Sequence, residues 1–192
     1  MSIDYRMLFS GPLLFHTKIK DEDIEKLKSI SSTNQDFRKH LAASINDEFQ
    51  LSNLDYQKIV DPYLDVYREA FFEWYSNKIG RPKVVSCWIN HMKDGEFNPP
   101  HIHTNCNFSS VLFLNDLPEE IKLEQKEYLG THKGGPASLN FLFGTSKNCL
   151  YISEKNINPT KGDFFIFPAD LTHWVFPFKS KVIRTSIAAN YE

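Results

Sequence analysis

The stretch KGDFFIFPADLTHWVFPFKSKVIRTSIAANY, residues 161–191, decides the fold class. It consists of short aromatic and β-branched runs separated by turn-forming residues, which is typical of consecutive antiparallel strands. The same pattern occurs upstream in KVVSCWINHM (83–92), FSSVLFLN (108–115), SLNFLFG (138–144) and CLYISE (149–154). Seven or eight short strands without intervening helical segments predict an antiparallel sandwich or barrel rather than a parallel sheet.

The N-terminal part of the chain has a different pattern, because its apolar residues recur at helical spacing from Asp21 to Asn77. We predict a first helix after the acidic start at residues 21–23. A second helix is predicted over IVDPYLDVYREAFFEWYSNKIG (59–80), ending at Gly80, since glycine favours the backbone conformation that terminates helices. LLFHTKI (13–19) is predicted to be a short strand, and the polar segment 119–136 to be mostly a surface loop.

Composition limits the classes of function. The chain has 192 residues, with 22 Lys plus Arg and 24 Asp plus Glu, which gives a formal net charge of −2. This length predicts one domain over residues 1–192, in which helical residues 1–80 support a strand-rich core of residues 81–192. The balanced charge argues against a nucleic-acid partner, which normally requires a basic face.

Membrane and secretory segments are not expected. No window reaches the ~18 consecutive apolar residues that a membrane span needs. The first residues, MSIDYRMLFSGPLLFHTK, lack the basic and then uninterrupted apolar regions of a secretory signal. We therefore expect a cytoplasmic protein.

His101 and His103 are the first candidate metal ligands, two residues apart in NPPHIHTNCN (98–107). In an extended chain, residues i and i+2 lie on one face, about 6.6 Å apart at Cα, so both imidazoles can converge on one metal ion. A chain with seven histidines also produces such a pair by chance. The pair therefore has to be considered together with a third ligand.

His173 is the candidate third ligand, and the strand that follows it carries Arg184 and Ser186. If the two strands form a hairpin with its turn at Phe178 and Lys179, His173 and Arg184 lie directly opposite each other. The two-residue period of a strand then places Ser186 on the same face. A buried arginine needs a counter-ion, so we expect a carboxylate of the protein or of a ligand. The alternative is an arginine that extends to the rim of the sheet.

These residues resemble the signature of the Fe(II)- and 2-oxoglutarate-dependent oxygenases. That signature has an early H-x-H or H-x-D, a distal histidine, an arginine some eleven residues later and a serine two residues beyond it, as found here. More narrowly, WINHMKDGEFNPPHIHTNCNFSSVLFLNDLP (88–118) with KGDFFIFPADLTHWVFPF (161–178) and RTSIAAN (184–190) is similar to a group of such oxygenases from bacteria and from phages of marine bacteria. The resemblance covers about residues 84–190.

The resemblance implies a fold and a role for each residue. The fold would be mainly β, a cupin-like jelly-roll known as a double-stranded β-helix, with supporting N-terminal helices. His101, His103 and His173 would bind Fe(II), while Arg184 and Ser186 would hold the distal carboxylate of 2-oxoglutarate. Three protein ligands leave open positions on the ion for a 2-oxo acid and for dioxygen.

Two positions depart from the family pattern. The middle ligand is usually Asp or Glu, whereas here it is His103; alternatively His103 lies outside the ligand set and a carboxylate of Asp94, Glu96 or Asp170 completes the site. Phe113 stands where many relatives have a tyrosine that helps to hold the co-substrate. The replacement partner for Arg184 would be Asn90 or His91, which face opposite ways on one strand.

The implied function is a dioxygenase that uses Fe(II) and 2-oxoglutarate, most simply a hydroxylase of an amino-acid side chain, free or in a protein. Its partners would be dioxygen and a small-molecule or peptide substrate, in the cytoplasm of a bacterium or of a phage-infected host. Two rival hypotheses stay open. One is a three-histidine, cupin-like oxygenase without 2-oxoglutarate, in which Arg184 binds a substrate carboxylate. The other is a non-catalytic jelly-roll that serves as a binding or virion protein.

Overall fold

The computed structural model describes residues 11–31, 35–128, 134–144 and 154–192. Its α-helices are α1 (Asp21–Ile30), α2 (Asn53–Tyr75) and α3 (Glu119–Glu127), and a short 3-10 helix covers Arg38–His40. The strands are β1 (Phe15–Lys18), β2 (Glu48–Gln50), β3 (Val84–Met92), β4 (Asn98–His101), β5 (Phe108–Phe113), β6 (Leu139–Leu142), β7 (Glu154–Ile157), β8 (Asp163–Pro168), β9 (Thr172–Val175) and β10 (Arg184–Tyr191).

The strands form two antiparallel sheets. A six-stranded sheet has the order β1-β8-β5-β10-β3-β2, and a four-stranded sheet has the order β4-β9-β6-β7. Aromatic side chains of the two sheets pack against each other, as Phe141 of β6 does against Phe167 of β8 with ring centroids 4.9 Å apart. The strand pattern predicts such antiparallel sheets, and the family resemblance implies this mainly β fold, the double-stranded β-helix.

The six-stranded sheet has two different faces, which strand β10 illustrates. Its residues alternate in direction, as they must in an extended chain. Ile187, Ala189 and Tyr191 belong to the apolar core shared with the helices. Arg184 and Ser186 line the pocket between the two sheets. The outer face therefore packs into the apolar core, and the inner face carries the polar side chains that line the pocket.

Helices α1 and α2 cover the outer face of this sheet. The side chain of Ser52 caps α2 by accepting a hydrogen bond from the first turn, which satisfies an otherwise unpaired N–H group. The buried residues of α2 recur every three or four positions, as required of a helix with one face on a core. They are Tyr56, Val60, Leu64 and Tyr67.

Two predictions about the helical segments need correction. Helix α2 ends at Tyr75 rather than at Gly80, because Ser76 takes the left-handed conformation (φ 54°) and its N–H bonds the carbonyl of Phe72. The segment 119–136 is not mostly loop, since α3 occupies its first half. The fully buried Ile121 anchors α3 in a small apolar cluster, while the rest of the helix is polar apart from the exposed Leu123.

The predicted hairpin between His173 and Arg184 is wrong. β9 pairs with β4 and β6 in the four-stranded sheet, whereas β10 pairs with β3 and β5 in the other sheet. His173 therefore lies opposite His101 and Phe141, and Arg184 lies opposite Met92. The two strands do not form a hairpin because the chain crosses between the sheets after β9. Both side chains nevertheless reach one pocket, since the inner faces of the two sheets look toward each other.

The other predicted strands are confirmed, except one that lies largely outside the described residues. Two further strands, β2 and β4, were not predicted. The short strand at residues 13–19 is confirmed as β1. The segment CLYISE (149–154) lies outside the described residues up to Glu154, where β7 begins. Strands β2 and β4 have no counterpart in the sequence pattern, because one spans three residues and the other contains two prolines.

None of the helices formed by the described residues has the length and apolar character to cross a membrane.

Candidate metal centre

Three histidines converge at one end of the space between the sheets. His101 and His173 are directly paired across β4 and β9, with ring centroids 4.2 Å apart. His103 follows two residues later, and its ring centroid is 5.1 Å from each of the other two. One ring nitrogen from each histidine lies within 4.8 Å of those of the others, which is the spacing of donors around a single ion.

Backbone carbonyls fix the tautomers of two of these imidazoles. Nδ1 of His101 lies 2.7 Å from the carbonyl oxygen of Pro99, and Nδ1 of His173 lies 2.9 Å from that of Leu171. A carbonyl can only accept, so each Nδ1 carries the proton and donates it. Each Nε2 therefore keeps its lone pair for a metal, an arrangement typical of histidine ligands.

Burial keeps the three imidazoles neutral. Desolvation is the largest cause that lowers the pKa of His101, that brings the pKa of His103 to about 4, and that lowers the pKa of His173 well below its ordinary value. Repulsion from a protonated His101 adds to the effect at His103 and His173, and repulsion from a protonated His103 adds to it at His173. Neutral imidazoles are the form that binds a metal, so the cluster needs no loss of protons at neutral pH.

The cluster contains no carboxylate within the described part of the chain. The carboxylates considered as alternatives to His103 lie elsewhere. Asp94 and Asp170 are exposed. Glu96 is buried, but its oxygens accept hydrogen bonds from two backbone N–H groups, at 3.0 and 2.8 Å. The geometry favours three imidazoles over two imidazoles and a carboxylate.

Arg184 lies in the same pocket, where its guanidinium is a buried cation with no anionic partner among the described residues. Its side chain is 3% exposed, and its Nε and Nη2 have no hydrogen-bond partner. Among the described residues, the hydrogen-bond partner of Nη1 is the sulfur of Met92, at 3.8 Å. Burial lowers the pKa of Arg184 to about 9, so the guanidinium is still charged at neutral pH. Such a group fits an incoming carboxylate, which would accept from both free N–H donors.

A row of polar side chains crosses the sheet beside Arg184. Ser186 on β10 is paired with Asn90 on β3, and Asn90 is paired with Glu48 on β2. Paired residues in a sheet point to the same face, so all three side chains face the pocket side. Asn90 Oδ1 and Glu48 Oε2 are buried and have no hydrogen-bond partner. His91 points the other way and contacts Thr185, as the alternation of the strand requires.

A second pocket adjoins the histidines on the side of β2. We call it the side pocket and define it by Glu48, Trp88, Asn98, His101, His103 and Asn190. His101, His103, Trp88 and Asn98 line both this pocket and the one that holds Arg184. A ligand in the side pocket would therefore lie next to the histidine cluster without occupying the place beside Arg184.

Sequence reasoning missed Glu48. It lies in a region whose apolar spacing we interpreted as helical, and strand β2 is too short to show a strand pattern. The one available signal was local: polar and apolar residues alternate in EFQL (48–51), as they do in a short strand. Its burial could be recognised only from the pairing of β2 with β3.

The residues present fit both a metal ion and a 2-oxo diacid. Three neutral nitrogen donors suit Fe(II), and their placement on one side of an ion leaves positions for other ligands. The unpaired donors of the Arg184 guanidinium suit a carboxylate in the same pocket. These are the features of an oxygenase that uses iron and a 2-oxo acid co-substrate.

Comparison with known proteins identifies the family. Residues 86–190, more than half of the chain, match the sequence profile of the family described as "Putative 2OG-Fe(II) oxygenase". The chain therefore belongs to this family, whose cofactors are Fe(II) and 2-oxoglutarate and whose other co-substrate is dioxygen. Among curated protein sequences, none matches the chain.

Solved structures show the same fold. A 2OG-Fe(II) oxygenase family oxidoreductase from Burkholderia pseudomallei is 14% identical, with a TM-score of 0.59 over 95% of this chain and 84% of its own. A prolyl-4-hydroxylase from Pseudomonas putida is 15% identical, with a TM-score of 0.53 over 93% of this chain and 91% of its own. A prolyl hydroxylase from Trichoplax adhaerens, in complex with a peptide fragment, is 12% identical, with a TM-score of 0.52 over 93% and 82% of the two chains. At these identities the likeness concerns the fold.

Proposed function

We propose that this protein is an Fe(II)- and 2-oxoglutarate-dependent dioxygenase that hydroxylates an amino-acid side chain, free or in a peptide. One observation supports the proposal most strongly. Arg184 is a fully buried guanidinium without an anionic partner among the described residues, in the same pocket as three converging histidines. A protein keeps such an uncompensated charge at a cost of several kcal/mol, which a bound carboxylate would offset.

In this proposal each residue has a defined task. His101, His103 and His173 hold the ion, with Nε2 of His101 and His173 already presented by the carbonyls behind them. Arg184 and Ser186 hold the distal carboxylate of 2-oxoglutarate, and Asn90 contributes a polar contact next to Ser186. Fe(II), 2-oxoglutarate and dioxygen together supply the oxidising chemistry when they are bound. Phe113, Phe141 and Phe167 belong to one buried apolar cluster, which would give the pocket an apolar boundary on this side.

The substrate class is supported by two observations. Two of the solved structures with this fold are prolyl hydroxylases, one of them in complex with a peptide. The side pocket lies beside the histidines and is open to solvent, so a side chain of a free amino acid or a peptide can enter it without displacing a group bound to Arg184.

Anaerobic titration tests the co-substrate. Adding 2-oxoglutarate to the Fe(II)-loaded protein should produce the visible charge-transfer band of a 2-oxo acid chelated to Fe(II). Formation of succinate with dioxygen would then be measured across a panel of amino acids and peptides. A protein that binds iron but gives no band, and forms no succinate with any panel member, would contradict the proposal and favour the oxygenase without 2-oxoglutarate. A purified protein that holds no iron would favour the non-catalytic jelly-roll.

A further inference from the structure

The buried polar atoms that lack partners are concentrated in the two pockets. Among the described residues, six buried side-chain atoms have no hydrogen-bond partner, and five of them belong to Glu48, Asn90, Asn98 and Arg184. Arg184 contributes donors, whereas the other three contribute oxygen acceptors. The donors lie where 2-oxoglutarate would bind, and Glu48 and Asn98 line the side pocket. The unpaired acceptors remain after the co-substrate is accounted for.

Glu48 is the strongest of these acceptors because it is a carboxylate. It is 1% exposed, and its Oε2 has no partner. Glu48 is paired with Asn90, and Asn90 is paired with Ser186. Glu48 and Ser186 are therefore two strand spacings apart, or roughly 10 Å. Glu48 and Arg184 do not pair, since Glu48 Oε2 and Arg184 Nε and Nη2 all lack partners, but both residues lie on the same wall of the binding space.

No cation of the described residues is paired with Glu48, although basic residues are near. Arg38 is engaged with Asp36 at 2.6 Å, and Lys93 forms an ion pair with Asp47. The pKa of Glu48 is raised mainly by desolvation and further by the charge of the buried carboxylate Glu96, which adds negative potential. The surroundings of Glu48 thus attract a positive charge that the described part of the protein does not itself provide.

We propose that Glu48 recognises a protonated amine or guanidinium on the substrate and that the enzyme acts on basic amino-acid side chains. This inference rests on the proposed function and specifies its substrate class. A cation in the side pocket would donate to Glu48 Oε2 and could also donate to Asn98 Oδ1, which satisfies both unpaired acceptors. The carbon chain of the substrate would then extend past Trp88 toward His101 and His103.

Proton release by Glu48 on binding would report its contact with a substrate cation. Desolvation, followed by the charge of Glu96, raises the pKa of Glu48 to about 7, so about half of the molecules carry a protonated Glu48 at pH 7. Arg38 opposes this shift and Asp36 adds to it. A bound cation favours the ionised carboxylate, and binding should therefore release about half a proton per molecule at pH 7.

Calorimetry at pH 7 can test the proposal with the full chain loaded with Mn(II), with and without 2-oxoglutarate. The probes are L-arginine and L-lysine, and their uncharged counterparts are L-citrulline and L-norleucine. Wild type should bind the two cationic probes about tenfold or more tightly than the neutral ones. Titration in phosphate and in Tris, which differ in ionisation enthalpy, should show the release of about half a proton.

Two variants of Glu48 and one control complete the test. Glu48→Gln should weaken arginine and lysine binding about tenfold or more and abolish the proton release. The affinity of Glu48→Asp for these probes should lie between that of Glu48→Gln and that of wild type. Glu73→Gln, the same change at an exposed position of α2 on the far side of the sheet, should behave as wild type. All variants should bind 2-oxoglutarate normally.

Two results would overturn the inference: no tighter binding of the cationic probes by wild type, or equal binding by Glu48→Gln. Failure of wild type to bind 2-oxoglutarate would contradict the proposed function instead. The cation preference would in that case be judged from the titrations made without 2-oxoglutarate.

Discussion

The guanidinium of Arg184 lies over the ring of Phe113, with its Cζ atom 4.5 Å from the ring centroid. A cation over an aromatic face gains about 2 kcal/mol when it is desolvated, which offsets only part of the cost of burying the charge. Phe113 has no hydroxyl, so it cannot accept from Nε or Nη2. The pair therefore holds the arginine in position and leaves its donors free for a ligand.

Removing Arg184 should abolish tight binding of 2-oxoglutarate while metal binding persists. Truncating one partner of a buried charge pair costs ~2–5 kcal/mol, so Arg184→Ala should raise the Kd for 2-oxoglutarate ~30-fold to several thousand-fold. Arg184→Lys keeps the charge but loses the fork of donors, and its Kd should be intermediate. Calorimetry with a redox-inert metal in place of Fe(II) measures these values.

Ser186→Ala is the matched smaller change in this test, since it removes one hydrogen bond, or ~1–3 kcal/mol of binding free energy. If Arg184→Ala bound 2-oxoglutarate as tightly as wild type, the assignment of the carboxylate site would be wrong.

Replacing Arg184 by an apolar residue of similar length should stabilise the protein without ligand. The guanidinium is buried without an anion among the described residues, and apolar replacements of buried charges are often stabilising by ~1–4 kcal/mol. Arg184→Met should therefore raise the free energy of unfolding in urea while it abolishes 2-oxoglutarate binding. Arg81→Met, which breaks an exposed ion pair with Asp65, is the control and should not stabilise the protein. A destabilised Arg184→Met would show that Arg184 has a structural role.

Each of His101 and His173 should be required for metal binding. His101→Ala or His173→Ala removes one of three nitrogen donors, so stoichiometric Fe(II) binding should be lost while the circular dichroism spectrum is retained. His16→Ala serves as the control, because His16 lies on β1 and contacts Asp163 instead of the cluster. Metal content after anaerobic loading and desalting is the measurement. Full iron content in both cluster variants would refute the site.

His103→Asp tests the unusual ligand. If His103 coordinates the ion, aspartate at this position should preserve Fe(II) binding and make the site one unit more negative. The electronic spectrum of the Co(II)-loaded protein should then change, because one nitrogen donor becomes oxygen. An unchanged Co(II) spectrum, with altered activity only, would place His103 outside the ligand set.

The buried Glu48 should make stability depend on pH in a defined direction. The pKa of Glu48 in the folded protein is about 7, above the ordinary value of 4.5. Its contribution to the free energy of unfolding is therefore complete below pH 4.5, where the carboxyl is protonated, and is lost as the pH rises through 7. Compared with Glu48→Gln, wild type should lose on the order of 3 kcal/mol of unfolding free energy between pH 4.5 and 7.5. Urea unfolding across this range measures the difference.

Glu73→Gln, at an exposed position, is the control for this titration and should follow the wild-type profile. A Glu48→Gln protein with the same pH profile as wild type would mean that Glu48 is ionised and stabilised in the free enzyme. Its surroundings would then have to provide a cation, contrary to the contacts described above.

Much of the site was predictable because its residues lie in short, regular segments. The spacing of His101 and His103 needs only an extended chain to bring both rings to one face. Arg184 and Ser186 share a face for the same reason. Their joint pocket with His173 followed from resemblance to the family, whereas the physical route proposed for it, a hairpin between β9 and β10, was wrong.

The sequence by itself determined the strand-rich core, the outer helices and the three histidines that converge in the candidate metal centre, because local periodicity and chemical type are properties of short segments. Only the tertiary structure decided which strands pair, and thereby placed β9 and β10 in different sheets. It also added β2 at the edge of the six-stranded sheet and so buried Glu48 beside Asn90. Pairing between distant segments depends on how whole faces pack, and no local pattern records it.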